Sequence, residues 1–239
     1  MHSYSYDAKP VVLADSHVVE SYLEQHVGLS QVDLKLILER GLSGLYSTTI
    51  NHPAISRGAY FYGEAVSAAR EILAPKGFQR RSIRNIEFAV NERSAIYVCR
   101  GCEQTGLVEG RPESRYPKGE FTREFMGLIY DNYPGQGRLV LDDNQISFDL
   151  PEMDVEPILP NQLGLDLWFL LYSLDRDADS SRCTIKAELS RPASFNNKGI
   201  VNSFSTRLIL NMSEPDYMSH GNDVPQFTPD IDLDILKMG

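Results

Sequence analysis

The hydrophobic period of this chain shifts from helical to alternating at Pro75-Lys76-Gly77, and that shift limits the folds open to it. Before it, apolar residues recur at helical spacing; after it, they alternate as in strands. Tyr62, Ala65, Val66, Ala69, Ile72 and Leu73 keep the i, i+3, i+4, i+7 rule. They predict a helix over about 59–74, which the Pro-Lys-Gly triplet ends. Upstream, Ser30 followed by Asp33 is an S-x-x-D start signal ahead of Leu34, Ile37 and Leu38, with Gly41 as the expected stop. A shorter helix over about 16–25 would bury Val18, Val19, Tyr22 and Leu23. Thr48 to Pro53 reads as a turn-rich connection between helices.

After Gly77, Ile86, Phe88 and Val90 alternate with Glu87 and Ala89, and Asn91-Glu92-Arg93 can turn the chain into a second strand from Ala95 to Cys99. Phe121, Phe125, Leu128 and Ile129 suggest a short amphipathic helix over 119–130, followed beyond Pro134-Gly135 by a strand over 138–141. Residues 142–161, with Pro151, Pro157 and Pro160, read as a long acidic connection. Leu167 to Tyr172 is a buried strand by composition and includes Trp168, the only tryptophan. Its expected antiparallel partner is Cys183 to Leu189, and Phe204 to Leu210 follows after the Asn196-Asn197-Lys198-Gly199 turn. Helices first and hairpins afterwards predict an α+β fold, N-terminal helices packed on an antiparallel sheet of hairpins. One domain is expected over 1–211, helical over 1–77 and mainly β over 78–211. An irregular acidic tail follows over 212–239; it has little periodicity and can wrap the body or stay mobile.

The chain has 23 Lys plus Arg against 33 Asp plus Glu, a net charge of −10, and the charge is segregated. Residues 76–123 carry ten basic and six acidic side chains, whereas 142–179 carry ten acids against Arg176 alone. Residues 180–211 have five basic residues against Glu188, and the tail has six acids against Lys237. The acidic balance opposes indiscriminate coating of nucleic acid, where cations must replace counterions along the phosphates. It leaves room for a local basic face that contacts nucleic acid directly. A solvated charge pattern is the plainer reading of the same blocks.

No apolar run approaches the roughly 18 residues of a membrane span, so no membrane contact is expected. The N-terminus lacks the basic and apolar regions of a secretory signal. Three cysteines do not make a disulfide framework, and a cytoplasmic location is expected.

Several patterns suggest chemistry, and each has a plainer reading. Cys99-Arg100-Gly101-Cys102 is a C-x-x-C whose thiolates could share a zinc or cycle as a dithiol. A closed zinc site needs two further ligands, and no second C-x-x-C or H-x-x-x-H supplies them, so strand-end cysteines without a metal are expected. Asp175-x-Asp177-x-Asp179 resembles the opening of a calcium loop, but Ser180 stands where Gly is needed and Lys186 where a bidentate Glu is needed. A hydrophilic turn is expected there. Lys186 and Glu188 fall on one strand face, as a magnesium nuclease would need, but in reversed order. A surface ion pair, or Glu188 against Arg207 on a neighbouring strand, is the ordinary alternative. No phosphate-binding Gly-rich loop, G-x-S-x-G or H-E-x-x-H is present.

The segment from Thr105 to Gly119 is the best candidate site. Arg111, Arg115 and Lys118 lie in a strand-to-helix loop, and the N–H groups opening the following helix would add to their attraction for an anion or an acidic partner group. The plainer reading pairs these three cations with the acids of 142–179.

Asn51-His52-Pro53, the helix from Gly58 to Pro75-Lys76-Gly77-Phe78, Thr105-Gly106, Tyr116-Pro117-Lys118-Gly119 and Ala187-Glu188-Leu189-Ser190-x-Pro192 together give the chain a resemblance over about 45–210. It resembles a family of uncharacterised bacterial proteins found on plasmids, integrated elements and phages, whose members usually lack a Cys pair at Cys99 and Cys102. The resemblance implies an accessory protein of mobile elements, engaged in conflict between host and element, and implies no catalytic residue. The expectation is a noncatalytic accessory or inhibitory protein, without metal or cofactor, that binds a protein or protein–nucleic-acid partner. The alternative is a nucleic-acid-processing enzyme using carboxylates near Glu188 and the basic loop.

Overall fold

The computed structural model describes residues 10–83, 86–117, 165–176 and 183–212. A short strand β1 (Val11–Leu13) precedes helix α1 (Ser16–Tyr22), whose last turn widens into a π-helical turn at Leu23–Val27. Asp15 caps α1 by accepting the N–H groups of His17 and Val18. Helix α2 (Gln31–Tyr46) opens on the expected capping box: Ser30 Oγ accepts the Asp33 N–H, and the Asp33 carboxylate accepts the Ser30 N–H at 2.7 Å. Helix α3 (Ser56–Leu73) runs through a 3₁₀ turn at Ala74–Lys76 into Gly77, whose φ of 85° closes the helix as the sequence predicts.

Gly41 does not stop α2. The helix continues for more than a turn, because Gly41 and Gly44 face α3 rather than end α2. A Cβ at Gly41 would lie 2.9 Å from Phe61 Cζ, and one at Gly44 would lie 2.7 Å from the Tyr60 carbonyl oxygen. The two glycines let α2 and α3 approach closely, which outweighs their cost in helix propensity of about 1 kcal/mol each.

Six further strands follow among the described residues: β2 (Gln79–Ile83), β3 (Ile86–Val90), β4 (Ser94–Arg100), β5 (Asp166–Arg176), β6 (Cys183–Phe195) and β7 (Val201–Leu210). They form a sheet in the order β1-β7-β6-β5-β4-β3-β2. The fold is α+β, but the sheet is mixed rather than wholly antiparallel. The expected pairs β3/β4, β5/β6 and β6/β7 are antiparallel, whereas β4/β5 and β1/β7 are parallel. Residues 101–165 separate β4 from β5, and a connection of that length permits a crossover that a hairpin cannot make. The expected helix over 119–130, strand over 138–141, acidic connection and tail from residue 213 lie outside the described residues.

Alternation along the strands divides the core. Ile96, Val98, Trp168, Leu170, Tyr172, Ile185, Ala187, Leu189, Leu208 and Leu210 face the helices, where they meet Leu23, Leu34, Ile37, Leu38, Phe61 and Leu73. Tyr172 stacks on Phe61 with ring centroids 4.2 Å apart. One apolar cluster therefore joins the helical and β parts. Cys99, Phe169, Leu171, Val201 and Phe204 pack together on the opposite face. No helix among the described residues is long and apolar enough to cross a membrane.

Candidate functional site: a pinned basic loop

The chain leaves β4 at Arg100 and crosses the sheet face opposite the helices. Gly101 donates to the Tyr172 carbonyl at 2.8 Å, and Gly101 and Ser114 form an isolated antiparallel bridge. Across that bridge, Cys102 N–H donates to Glu113 O, and Arg115 N–H donates to Arg100 O, each at 2.9 Å. Ser114 ties the return limb to β7: its N–H donates to Val201 O at 2.8 Å, and its Oγ accepts the Val201 N–H at 3.1 Å. Inside the loop, tight turns run from Cys102 to Gly110, and Arg111 N–H donates to Gln104 Oε1 at 2.8 Å.

A buried ion pair lies under these turns. Glu188 on β6 and Arg207 on β7 are 0 % and 2 % exposed, and Arg207 Nη2 sits 2.6 Å from Glu188 Oε2. Arg207 Nε also donates to Glu188 Oε1 at 3.2 Å. The remaining valences go to the loop and to β6. Arg207 Nη1 donates to Gly110 O at 2.7 Å and Nη2 to Leu107 O at 2.9 Å. Gly106 N–H donates to Glu188 Oε2 at 3.0 Å, and Ser190 Oγ donates to Glu188 Oε1 at 2.8 Å. A buried ion pair offsets its desolvation only when its other hydrogen-bonding positions are filled, and the loop fills them here. The plainer sequence reading of Glu188, paired with Arg207 across neighbouring strands, is the one the structure adopts.

Gly106 is the closest approach of the loop to the sheet. Its φ is 74°, and a Cβ would lie 2.8 Å from Ala187 N and 3.1 Å from Lys186 Cβ. Only glycine meets both conditions without strain.

The pinned loop holds Arg111 and Arg115 exposed to solvent. Leu107, Val108 and Tyr116 stand out beside them, Tyr116 at 58 % exposure. Among the described residues no acid forms a salt bridge with Arg111 or Arg115. Lys118 and the helix expected after it lie outside the described residues, as do the acids of 142–179 other than Asp166 and Asp175. The sequence located the arginines but not the exposed apolar residues beside them. The only local signal for the loop's shape was the Gly106 and Gly110 spacing.

The other patterns have structural partners. Lys186 Nζ pairs with Asp175 at 2.9 Å, on the sheet face it shares with Glu188, while Asp177 and Asp179 lie outside the described residues. Cys99 is buried and Cys102 half-buried; Cys102 Sγ accepts the Glu113 N–H at 3.3 Å and braces the loop. Among the described residues no group of three or more His, Cys, Asp or Glu side chains could hold a metal ion. Burial pushes the Tyr97 and Tyr172 hydroxyls far above the ordinary phenol range, so both stay protonated.

No family model, no curated protein and no solved structure matches this chain.

Proposed function

We propose that this chain is a noncatalytic binding protein that grips an acidic surface of a protein or protein–nucleic-acid partner through the loop over 101–117. One observation carries the reading: the Glu188–Arg207 pair ties the loop backbone to β6 and β7 while Arg111 and Arg115 remain exposed. A loop ordered before it meets its partner loses little conformational entropy on binding. Arginine and tyrosine are among the residue types that dominate binding energy at protein interfaces. The cations add encounter rate and selectivity for an acidic face.

Glu188 supports this reading over the enzymatic one. Both carboxylate oxygens are occupied by Arg207, Ser190 and Gly106, so the side chain anchors the loop instead of holding a metal or a proton for substrate. The family resemblance of the motifs suggests an accessory or inhibitory role on a mobile element, in the cytoplasm of the host. The test is capture of partners from the native cell by the full-length protein, with mass spectrometry of the bound protein and nucleic acid. Arg111→Glu with Arg115→Glu should lose a partner that the unaltered chain retains. Identical partner sets for the two proteins would sink the proposal.

A further inference from the structure

The bridge that pins the loop to the end of β4 sets two arginines against each other. Cys102 N–H donates to Glu113 O and Arg115 N–H to Arg100 O, on either side of the Gly101–Ser114 pair. The two limbs therefore run antiparallel in one register, with Arg100 directly opposite Arg115 and Cys102 directly opposite Glu113. Residues opposed in this way share a face, with Cβ atoms about 4.5–5.5 Å apart. Arg115 is exposed and Arg100 half-buried. Arg100 also lies in register with Tyr172 on β5. Burial drives the Tyr172 hydroxyl up and the Arg100 charge works against that rise, which sets the guanidinium close to that hydroxyl.

Like charges directly opposite destabilise a strand pair, and the backbone bonds here fix the apposition. An oxyanion between the two guanidiniums turns that repulsion into attraction. Each guanidinium offers a planar fork of N–H donors. Two forks on neighbouring strands fit one compact group, a carboxylate or a phosphate monoester.

The rest of the loop decides what carries that group. Residues 101–117 hold Glu103, Glu109 and Glu113 against Arg111 and Arg115, and all five are exposed. A nucleic-acid strand presents its phosphates in a continuous row, so the neighbours of a clamped phosphate would meet these carboxylates. A protein surface can offer one anionic side chain among cations and apolar groups. Exposed Leu107, Val108 and Tyr116 suit such a mixed surface.

We infer that Arg100 and Arg115 form a clamp for a single compact oxyanion carried by a protein partner. Arg100, the last residue of β4, thereby joins the binding residues of the loop. The assignment rests on the loop's role as a binding surface, and adds to it the class of group bound and the exclusion of nucleic acid.

Titration of the full-length chain with inorganic phosphate and with acetate tests the clamp, read by NMR on the arginine Nε–Hε signals at constant ionic strength. The Arg100 and Arg115 signals should shift together with one midpoint, while the signal of exposed Arg93 does not saturate. Saturation by phosphate alone points to a phosphorylated side chain, and saturation by both anions to a carboxylate; either result supports the clamp. Arg115→Gln should weaken the response at Arg100 by at least about tenfold, because a hydrogen bond between charged groups is lost. The same variant should melt no earlier than the unaltered chain, since it removes a like-charge contact. Signals that respond independently, or not at all, overturn the proposal, and an earlier melt of Arg115→Gln does so as well by showing that acids of this chain already fill the clamp. A short DNA duplex should leave both signals in place at physiological salt. A duplex that shifts them at lower concentration than phosphate overturns the protein assignment in favour of nucleic acid. Failure of the loop as a binding surface reads out separately, as identical partner sets captured by the unaltered chain and by the variant with Arg111→Glu and Arg115→Glu.

Discussion

Arg207 Nη2 lies 2.6 Å from Glu188 Oε2 in a site from which both side chains have lost almost all contact with solvent. Removing either partner alone leaves the other charged, buried and unpaired. Glu188→Gln or Arg207→Met should each cost about 3–5 kcal/mol, read as a shift of the urea midpoint at constant m. The double replacement Glu188→Leu with Arg207→Met leaves no orphan charge and should be more stable than either single variant. A coupling energy of about 1–3 kcal/mol is expected from the full cycle. Additive effects would show that the two side chains act separately. The double variant should still free the loop, since Leu107 O and Gly110 O lose their donor, and limited proteolysis should then cut between Leu107 and Arg111.

Gly106→Ala tests the closest approach of loop to sheet. The new methyl would meet the Ala187 backbone while the residue kept a positive φ, so two penalties coincide. A destabilisation of about 1–3 kcal/mol is expected, with faster proteolysis of the loop than in the unaltered chain. A stability within error of the starting protein would mean that the loop does not rest on β6.

Which of these features the sequence disclosed depended on range. Features encoded within a few residues were readable. The Ser30–Asp33 capping box, the Gly77 stop and the β3–β4 hairpin each carry their signal within one turn or strand. Gly41 shows where local reading fails, because a glycine that ends a helix and one that admits a neighbouring helix look the same until Phe61 is placed above it. Strand β2 was invisible because Gln79-Arg80-Arg81-Ser82 has no apolar alternation; its place comes from β3. The parallel β4/β5 pair depends on a long crossover with no local mark. The candidate site divides in the same way. Arg111 and Arg115 stand out locally, but the residue that fixes their loop, Arg207, lies nearly a hundred positions further along the chain.

Asp33 should make part of the stability depend on acid pH. Burial alone would raise its carboxyl, but the Lys76 ammonium at 2.7 Å and the Ser30 hydroxyl and N–H outweigh that and hold it below the usual carboxylate range. A group with a depressed folded value stabilises the protein above its unfolded value, near 3.8, and loses that contribution as pH falls through the folded value. Asp33→Asn should cost about 1 kcal/mol at neutral pH through the lost cap and ion pair. Its difference from the unaltered chain should narrow below about pH 4. A constant difference from pH 7 to pH 2 would contradict the assignment.

Trp168 is 1 % exposed on the helix-facing side of β5, with Tyr22 edge-on to it at 6.3 Å between ring centroids. Its fluorescence should be blue-shifted and poorly quenched by iodide. Trp168→Ala should cost about 3–5 kcal/mol, because the sheet and helices cannot both collapse into the space. A red-shifted native emission would place the indole in solvent and refute the packing.

Arg111 and Arg115 offer the sharpest separation between a binding surface and a structural one. Their side chains form no salt bridge among the described residues, while their backbones hold the loop. Replacing both with Ala keeps every backbone bond, so the melting temperature should hardly move; surface changes of this kind usually stay within about 0.5 kcal/mol each. Partner affinity should fall. The loss should shrink as salt rises from low to physiological strength, because the Debye length contracts to about 8 Å and the missing attraction is screened in the unaltered protein as well. If instead the arginines pair with the acids of 142–179, the same variant should melt earlier and bind its partner normally. Melting temperature and affinity measured on one preparation at two salt concentrations distinguish the two. A destabilised variant with unchanged affinity would remove the basic loop as the binding surface.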